Sequence, residues 1–153
     1  MINNDILRSV RYMLDISDAK IVDIIKLAGG EIDKADIVAC LKKEEEDGYR
    51  ECGDTLMIAF LNGLVFYARG KDESLPPQPS PTRLTNNIVL KKLRVAFEMK
   101  EDDVRGILDA AGFSITKPEL SALFRKEGHK NYRNCGDQLL RNFLKGLTLH
   151  MRN

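Results

Sequence analysis

Tyr49-Arg50-Glu51-Cys52-Gly53-Asp54 returns eighty-three residues later as Tyr132-Arg133-Asn134-Cys135-Gly136-Asp137, with five of six positions unchanged. Working outward from that string, residues 1–70 align with residues 84–153 at a constant offset of 83 and without a gap. Of the 70 aligned pairs, 23 are identical. Asn3-Asn4 becomes Asn86-Asn87, and Phe60-Leu61-x-Gly63-Leu64 becomes Phe143-Leu144-x-Gly146-Leu147. The chain is one unit written twice. What both copies keep serves the fold or a shared role, and what they do not share is where an asymmetric function would sit.

Helical periodicity runs through each copy. In the first helix Ile6, Val10, Met13 and Leu14 share a face, answered by Val89, Leu93, Ala96 and Phe97. Asn3 or Asn4, and Asn86 or Asn87, are expected as N-caps, since a short amide can accept from exposed backbone N–H groups. Ser17 is expected to cap the second helix, with Gly29 and Gly112 at C-terminal positions that want a positive φ. Asp33 caps the third helix of copy one, and Thr116-Lys117-Pro118-Glu119 is a capping box in copy two. The fourth helix is predicted from Asp54 or Asp137, as N-cap, to about Arg69 or Arg152. It is greasy on two faces and carries Gly63 and Gly146 in its interior, where glycine costs about 1 kcal/mol relative to alanine. Its retention predicts a close helix crossing there, and we expect the two fourth helices to meet across a pseudo-twofold axis. The result is an all-α protein of two tandem four-helix repeats, about eight helices. The predicted division is repeat 1 at 1–70, a linker at 71–83 and repeat 2 at 84–153. Four of the five prolines fall in that linker, which reads as an extended spacer reaching about 40 Å.

Composition is ordinary, with 43% apolar residues, 31% charged residues and a net charge of +1. This excludes a strongly disordered chain and makes no electrostatic case for polyanion binding by the whole protein. The halves differ: residues 1–70 carry a net charge of −4 and residues 84–153 a net +5. Unlike charge is expected to help the copies associate, or to offer one half to a charged partner. Three cysteines without CxxC spacing, no signal-like start and no long apolar run point to a reduced, cytoplasmic protein that does not enter a membrane.

The recurring string reads first as structure. Asp54 and Asp137 cap the fourth helix, Gly53 and Gly136 permit the turn, and Cys52 and Cys135 are small buried residues. Tyr49 and Tyr132 cover that helix's start, while Arg50 and Arg133 pair with the capping carboxylate or the third helix's last carbonyls. The chemical reading makes the cysteines reactive thiols beside an arginine and a helix N-terminus. No histidine recurs with them, since His129 and His150 both belong to copy two. The sequence has no metal-ligand spacing, P-loop, GxGxxG, GxSxG or HExxH, so no catalytic, metal-binding or cofactor-binding residue is assigned.

Two unequal positions are candidate interaction sites. Arg125, Lys126, His129, Lys130 and Arg133 form a basic stretch with Tyr132 among them, whereas the aligned stretch holds Glu44-Glu45-Glu46-Asp47. Ile58 and Ala59 become Arg141 and Asn142, so Ile58 marks a partner patch if exposed and core if buried. The Asn-Asn-x-x-Leu-x-x-x-Arg opening seen at Asn3, the Ala-Gly turn, the Tyr-Arg-x-Cys-Gly-Asp string and the Phe-Leu-x-Gly-Leu ending together resemble the YehS-like family. That resemblance implies a small, cytosolic bacterial protein of two tandem copies, without catalytic residues to carry over. The functional expectation is a non-enzymatic protein-interaction or self-association module. The alternative is a nucleic-acid-associated regulator working through the basic stretch, although Pro118 sits poorly at the start of a recognition helix.

Overall fold

The computed structural model describes residues 1–70 and 83–152. The first repeat is α1 (Asn3–Leu14), α2 (Asp18–Leu27), α3 (Lys34–Leu41) and α4 (Asp54–Arg69). The second is α5 (Asn86–Ala96), α6 (Glu101–Ala110), α7 (Lys117–Leu123) and α8 (Asp137–Arg152). The architecture is all-α with tandem repeats. The proline-rich stretch read as an extended spacer lies outside the described residues, apart from Arg83. Local signals act as expected at several helix ends. Ser17 accepts from the Lys20 N–H at 3.1 Å, and Thr116 accepts from the Glu119 N–H at 3.2 Å with Pro118 in the first turn. Gly29 and Gly112 adopt φ of 83° and 80°.

The asparagine pairs are not caps. Ile2 occupies the N-cap of α1 without a side-chain bond, and Thr85 caps α5 by accepting from the Ile88 N–H at 3.2 Å. Asn4 turns inward and is fully buried. Its Nδ2 donates to the Cys40 carbonyl at 3.0 Å and the Arg50 carbonyl at 2.8 Å, and its Oδ1 accepts from the Cys52 N–H at 2.9 Å. Asn87 repeats the arrangement with the Leu123 and Arg133 carbonyls at 3.0 and 2.8 Å and the Cys135 N–H at 2.8 Å. An exposed helix end can be served by water. The connection between the third and fourth helices buries backbone groups that water cannot reach, so the amide is worth more there.

Asn3 completes this clamp, donating to the Cys52 carbonyl at 3.0 Å and to Asp54 Oδ1 at 2.8 Å; Asn86 does the same with the Cys135 carbonyl and Asp137. Asp54 is therefore not the cap of α4. Gly53 holds that position, and the Asp54 carboxylate instead receives Asn3 and, on Oδ2, the Leu84 N–H of the second repeat at 3.1 Å. Asp137 pairs with the Met1 α-amino group and Asn86 rather than acting as a cap. At α3, Asp33 sits at the N-cap but its side chain accepts no cap bond. Neither Gly53 nor Gly136 has a positive φ, and a Cβ at either would meet open space, so nothing in the structure explains their recurrence.

Packing centres on the fourth helices, with Phe60 and Phe143 among the largest fully buried side chains. One apolar cluster runs through both repeats. Gly63 and Gly146 mark close crossings, as predicted, but the partner helix differs from the expectation. A Cβ on Gly63 would lie 1.9 Å from the Ile24 carbonyl oxygen of α2, and one on Gly146 would lie 2.4 Å from the Ile107 carbonyl oxygen of α6. The glycines thus admit the second helix of their own repeat. The repeats join instead through two related seams, α1 against α8 and α4 against α5. Unlike net charge does not act here through direct pairing. Among the described residues the ion pairs between repeats are Met1 with Asp137 and Arg69 with Glu98, and in both the cation comes from the net-negative half.

Gly63→Ala is expected to destabilise the fold by about 3 kcal/mol, because a backbone carbonyl cannot step aside. Gly106→Ala is the counter-test: that exposed position in α6 has open space around the missing Cβ, so the change should stabilise by about 0.5–1 kcal/mol. Equal urea midpoints for the two variants would contradict the crossing. Asn4→Ala leaves one buried N–H and two carbonyls unserved and is expected to lose about 4 kcal/mol, with Asn87→Ala similar. Hydrogen bonds from Asn3 and then from the Leu84 N–H hold the Asp54 pKa below its usual value, against a smaller opposing effect of burial. A depressed folded pKa contributes stability above the unfolded pKa of about 3.9 that is lost as pH falls through the folded value. Urea midpoints taken between about pH 5 and pH 2 should therefore fall less steeply for Asp54→Asn than for the parent chain.

Candidate functional site

The repeated string forms the end of the irregular connection into the fourth helix of each repeat. Backbone N–H groups of Arg50 and Arg133 donate to the Ala39 and Ala122 carbonyls at 3.2 and 3.1 Å, so the main chain, not the guanidinium, serves the third helix's last turn. The side chains reach back to carboxylates in that helix's first turn: Arg50 to Asp36 at 2.9 Å and Arg133 to Glu119 at 2.6 Å. Neither arginine binds the carboxylate that opens the fourth helix. Tyr49 and Tyr132 are half-buried beside the turn.

Burial decides the character of the thiols. It pushes Cys52 up to about 12, with the adjacent Cys40 thiol adding to the effect, and Cys135 up to about 11. The nearby Arg50 and Arg133 act in the opposite direction and lose. These are the opposite of activated nucleophiles. Cys52 has Cys40 as its thiol neighbour, a pairing that the second repeat lacks because Leu123 stands at the aligned position. All three cysteines are free and buried.

The basic stretch occupies the connection between α7 and α8. Arg125, Lys126, His129 and Lys130 are exposed there, and His129 Nδ1 accepts from the Asn131 N–H at 3.0 Å. Arg133 does not join them as a free cation, since Glu119 holds it. Glu127 lies within the same turn and pairs with Arg83 at 3.3 Å. Among the described residues no three His, Cys, Asp or Glu side chains gather as a metal site. No helix among them is long and apolar enough to cross a membrane.

Ile58 is core, not a surface patch: it is 7% exposed, and Ala59 packs half-buried against the cluster. Its counterpart Arg141 has the informative surroundings. Arg141 lines a groove of about 430 Å³ between α1 and α8. Leu144, Lys145, Thr148 and Leu149 continue that wall, while Arg8, Ser9 and Tyr12 of α1, with Met1, form the other. The offset of 83 assigns each of these a twin at the α4–α5 seam. At three compared positions the twin is more deeply buried. Ile58 answers the exposed Arg141, half-buried Val95 answers Tyr12 (61% exposed), and half-buried Phe66 answers Leu149 (47% exposed). Lys92, twin of Ser9, is desolvated enough that its pKa is lowered, with the charge of Lys91 adding to the effect. At these positions the α4–α5 seam is more closed than the α1–α8 seam. Arg152, from the end of α8, stacks over the Tyr12 ring at 4.3 Å and donates to the Tyr12 carbonyl at 2.7 Å. Sequence reasoning singled out Arg141 as a mismatch but missed Tyr12, Lys145 and Leu149. Comparing Tyr12 with Val95 along the internal alignment carries the same signal.

The comparisons agree with the duplicated architecture. The family described as "Protein of unknown function (DUF1456)" matches twice, over residues 3–70 and 86–153. The protein named "Uncharacterized protein YehS" from Escherichia coli (strain K12) is 48% identical over 148 residues, which is 97% of this chain and 95% of that protein. No solved structure matches. With both repeats matched and a relative of that identity along almost the whole chain, the protein belongs to the DUF1456 family.

Proposed function

We propose that the protein is a non-enzymatic protein-interaction module that receives its partner in the groove between α1 and α8. The observation that carries this reading is the inequality of the two seams. Where α4 meets α5, Ile58, Val95 and Phe66 are more withdrawn from solvent than their twins. Where α1 meets α8, Tyr12 and Leu149 stay exposed around a hollow of about 430 Å³. A partner side chain there would bury apolar surface that the chain itself leaves wet. The groove wall offers hydroxyls from Ser9, Tyr12 and Thr148 and the amine of Lys145, with no carboxylate, imidazole or thiol among the lining residues to pair with them.

A second reading, a nucleic-acid-associated regulator, draws on the exposed Arg125, Lys126, His129 and Lys130. The engagement of Arg133 by Glu119 and the presence of Glu127 in the same turn weigh against it. A photoreactive phenylalanine analogue at Tyr12, compared with the same group at exposed Lys26 of α2, separates the readings in cells. Discrete protein adducts at Tyr12 and none at Lys26 are expected, and an adduct of the chain with itself would identify self-association. Absence of protein adducts at Tyr12 would overturn the proposal. Recovery of nucleic acid bound in a manner lost steeply between 50 and about 200 mM salt would favour the regulator instead.

A further inference from the structure

The groove specifies the chemistry of what fills it. Its α8 wall uses positions 141, 144, 145, 148 and 149, a single helical face spanning about 12 Å. Both walls are α-helices whose backbone groups are bonded internally, so they have no strand edge to offer an extended peptide. An occupant held only through side chains must satisfy its own backbone, which a helix does. Two helices lying side by side with an open seam also provide the ridges and grooves that a third helix packs into.

Charge narrows the choice further. The groove-lining residues include Arg8, Arg141 and Lys145 and no carboxylate. Arg8 is already engaged by Asp5 and the Lys42 carbonyl. Arg141 and Lys145, one turn apart on α8, make no ion pair or side-chain hydrogen bond among the described residues; Asp137, one turn before Arg141 and within its electrostatic reach, is bonded to the Met1 amine and Asn86. Arg152 adds a cation at the Tyr12 end. On the rest of the groove's surface Leu144, Leu149 and Tyr12 supply apolar contact. Resting on the reading of this groove as the binding site, we infer that its occupant is an amphipathic helix of another protein, with acidic residues flanking an apolar stripe. A second copy of this chain fits poorly. Groove against groove would set Arg141 and Lys145 facing their own kind, and the acidic run Glu44-Glu45-Glu46-Asp47 contains no apolar side chain to fill the hollow.

Two fluorescein-labelled helical peptides of about eighteen residues test this, long enough to hold a helix and sharing one leucine stripe. One carries glutamates beside the stripe and the other lysines. Fluorescence anisotropy should show the glutamate peptide bound at least about tenfold more tightly than the lysine peptide, with the gap shrinking as salt rises. Arg141→Glu with Lys145→Glu should reverse that preference, and Leu149→Asp should weaken both peptides. All three positions are exposed, and unchanged thermal melting confirms that the variants fold. Equal binding of both peptides, or displacement of the glutamate peptide by a single-stranded oligonucleotide more effectively than by its own unlabelled form, would overturn the acidic-helix assignment. Failure of both peptides to bind overturns it too. The broader reading survives those results if Tyr12 still gives protein adducts in cells, and falls if it does not.

Discussion

The arrangement depends on one buried amide in each repeat. The chain leaving the third helix must turn into the fourth through an irregular, mostly exposed segment, a few of whose backbone groups are turned inward. Carbonyls at Cys40 and Arg50 and the N–H of Cys52 need partners there, and Asn4 serves all three. An asparagine side chain has two donors and an acceptor on one rigid plane, which few other short side chains offer. Because that amide comes from α1, satisfying the turn also fixes where α1 lies. Asn87 does the same for α5.

From that constraint the rest of the packing follows. With α1 and α5 set, each presents its remaining face to the fourth helix of the other repeat, giving the α1–α8 and α4–α5 seams. Within each repeat, Gly63 and Gly146 let the second helix come to backbone distance of the fourth, so the central helix is enclosed from several sides. The Asp54 carboxylate ties the scheme together across the junction, holding Asn3 of its own repeat and the Leu84 N–H of the other. The duplication therefore works as one interlocked core and not as two beads.

A duplicated unit also offers an internal control. Two seams made by equivalent helices differ because Ile58, Val95 and Phe66 have been replaced by Arg141, Tyr12 and Leu149. The shared residues explain folding: the asparagine clamps, the glycine crossings and the helix-ending reversals at Gly29 and Gly112. The unshared ones leave one seam open and rim it with cations. Net charge misleads on this point, since the ion pairs between the repeats take their cations from the net-negative half. The sign that matters is local, at the groove wall.

Much of the fold was legible in the residues alone. The repeat, the bounds of α4 and α8, the caps at Ser17 and Thr116 and the reversals at Gly29 and Gly112 all depend on spacing and hydrogen bonds within three or four positions. Gly63 announced a close crossing for the same reason, as a local cost retained twice. The candidate site was only half legible: Arg141 stood out as an unequal residue, but Tyr12 and Leu149 looked like ordinary members of amphipathic helices. The sequence by itself determined which segments are helices and that the chain is one unit used twice. Tertiary structure alone decided that Asn4 serves a turn some forty-eight residues away and not its own helix end. It also decided that α2 meets Gly63, and that the seam joining Tyr12 to Leu149 stays open. Such outcomes turn on which buried groups lack water and which distant surface fills the space, and no local spacing encodes either.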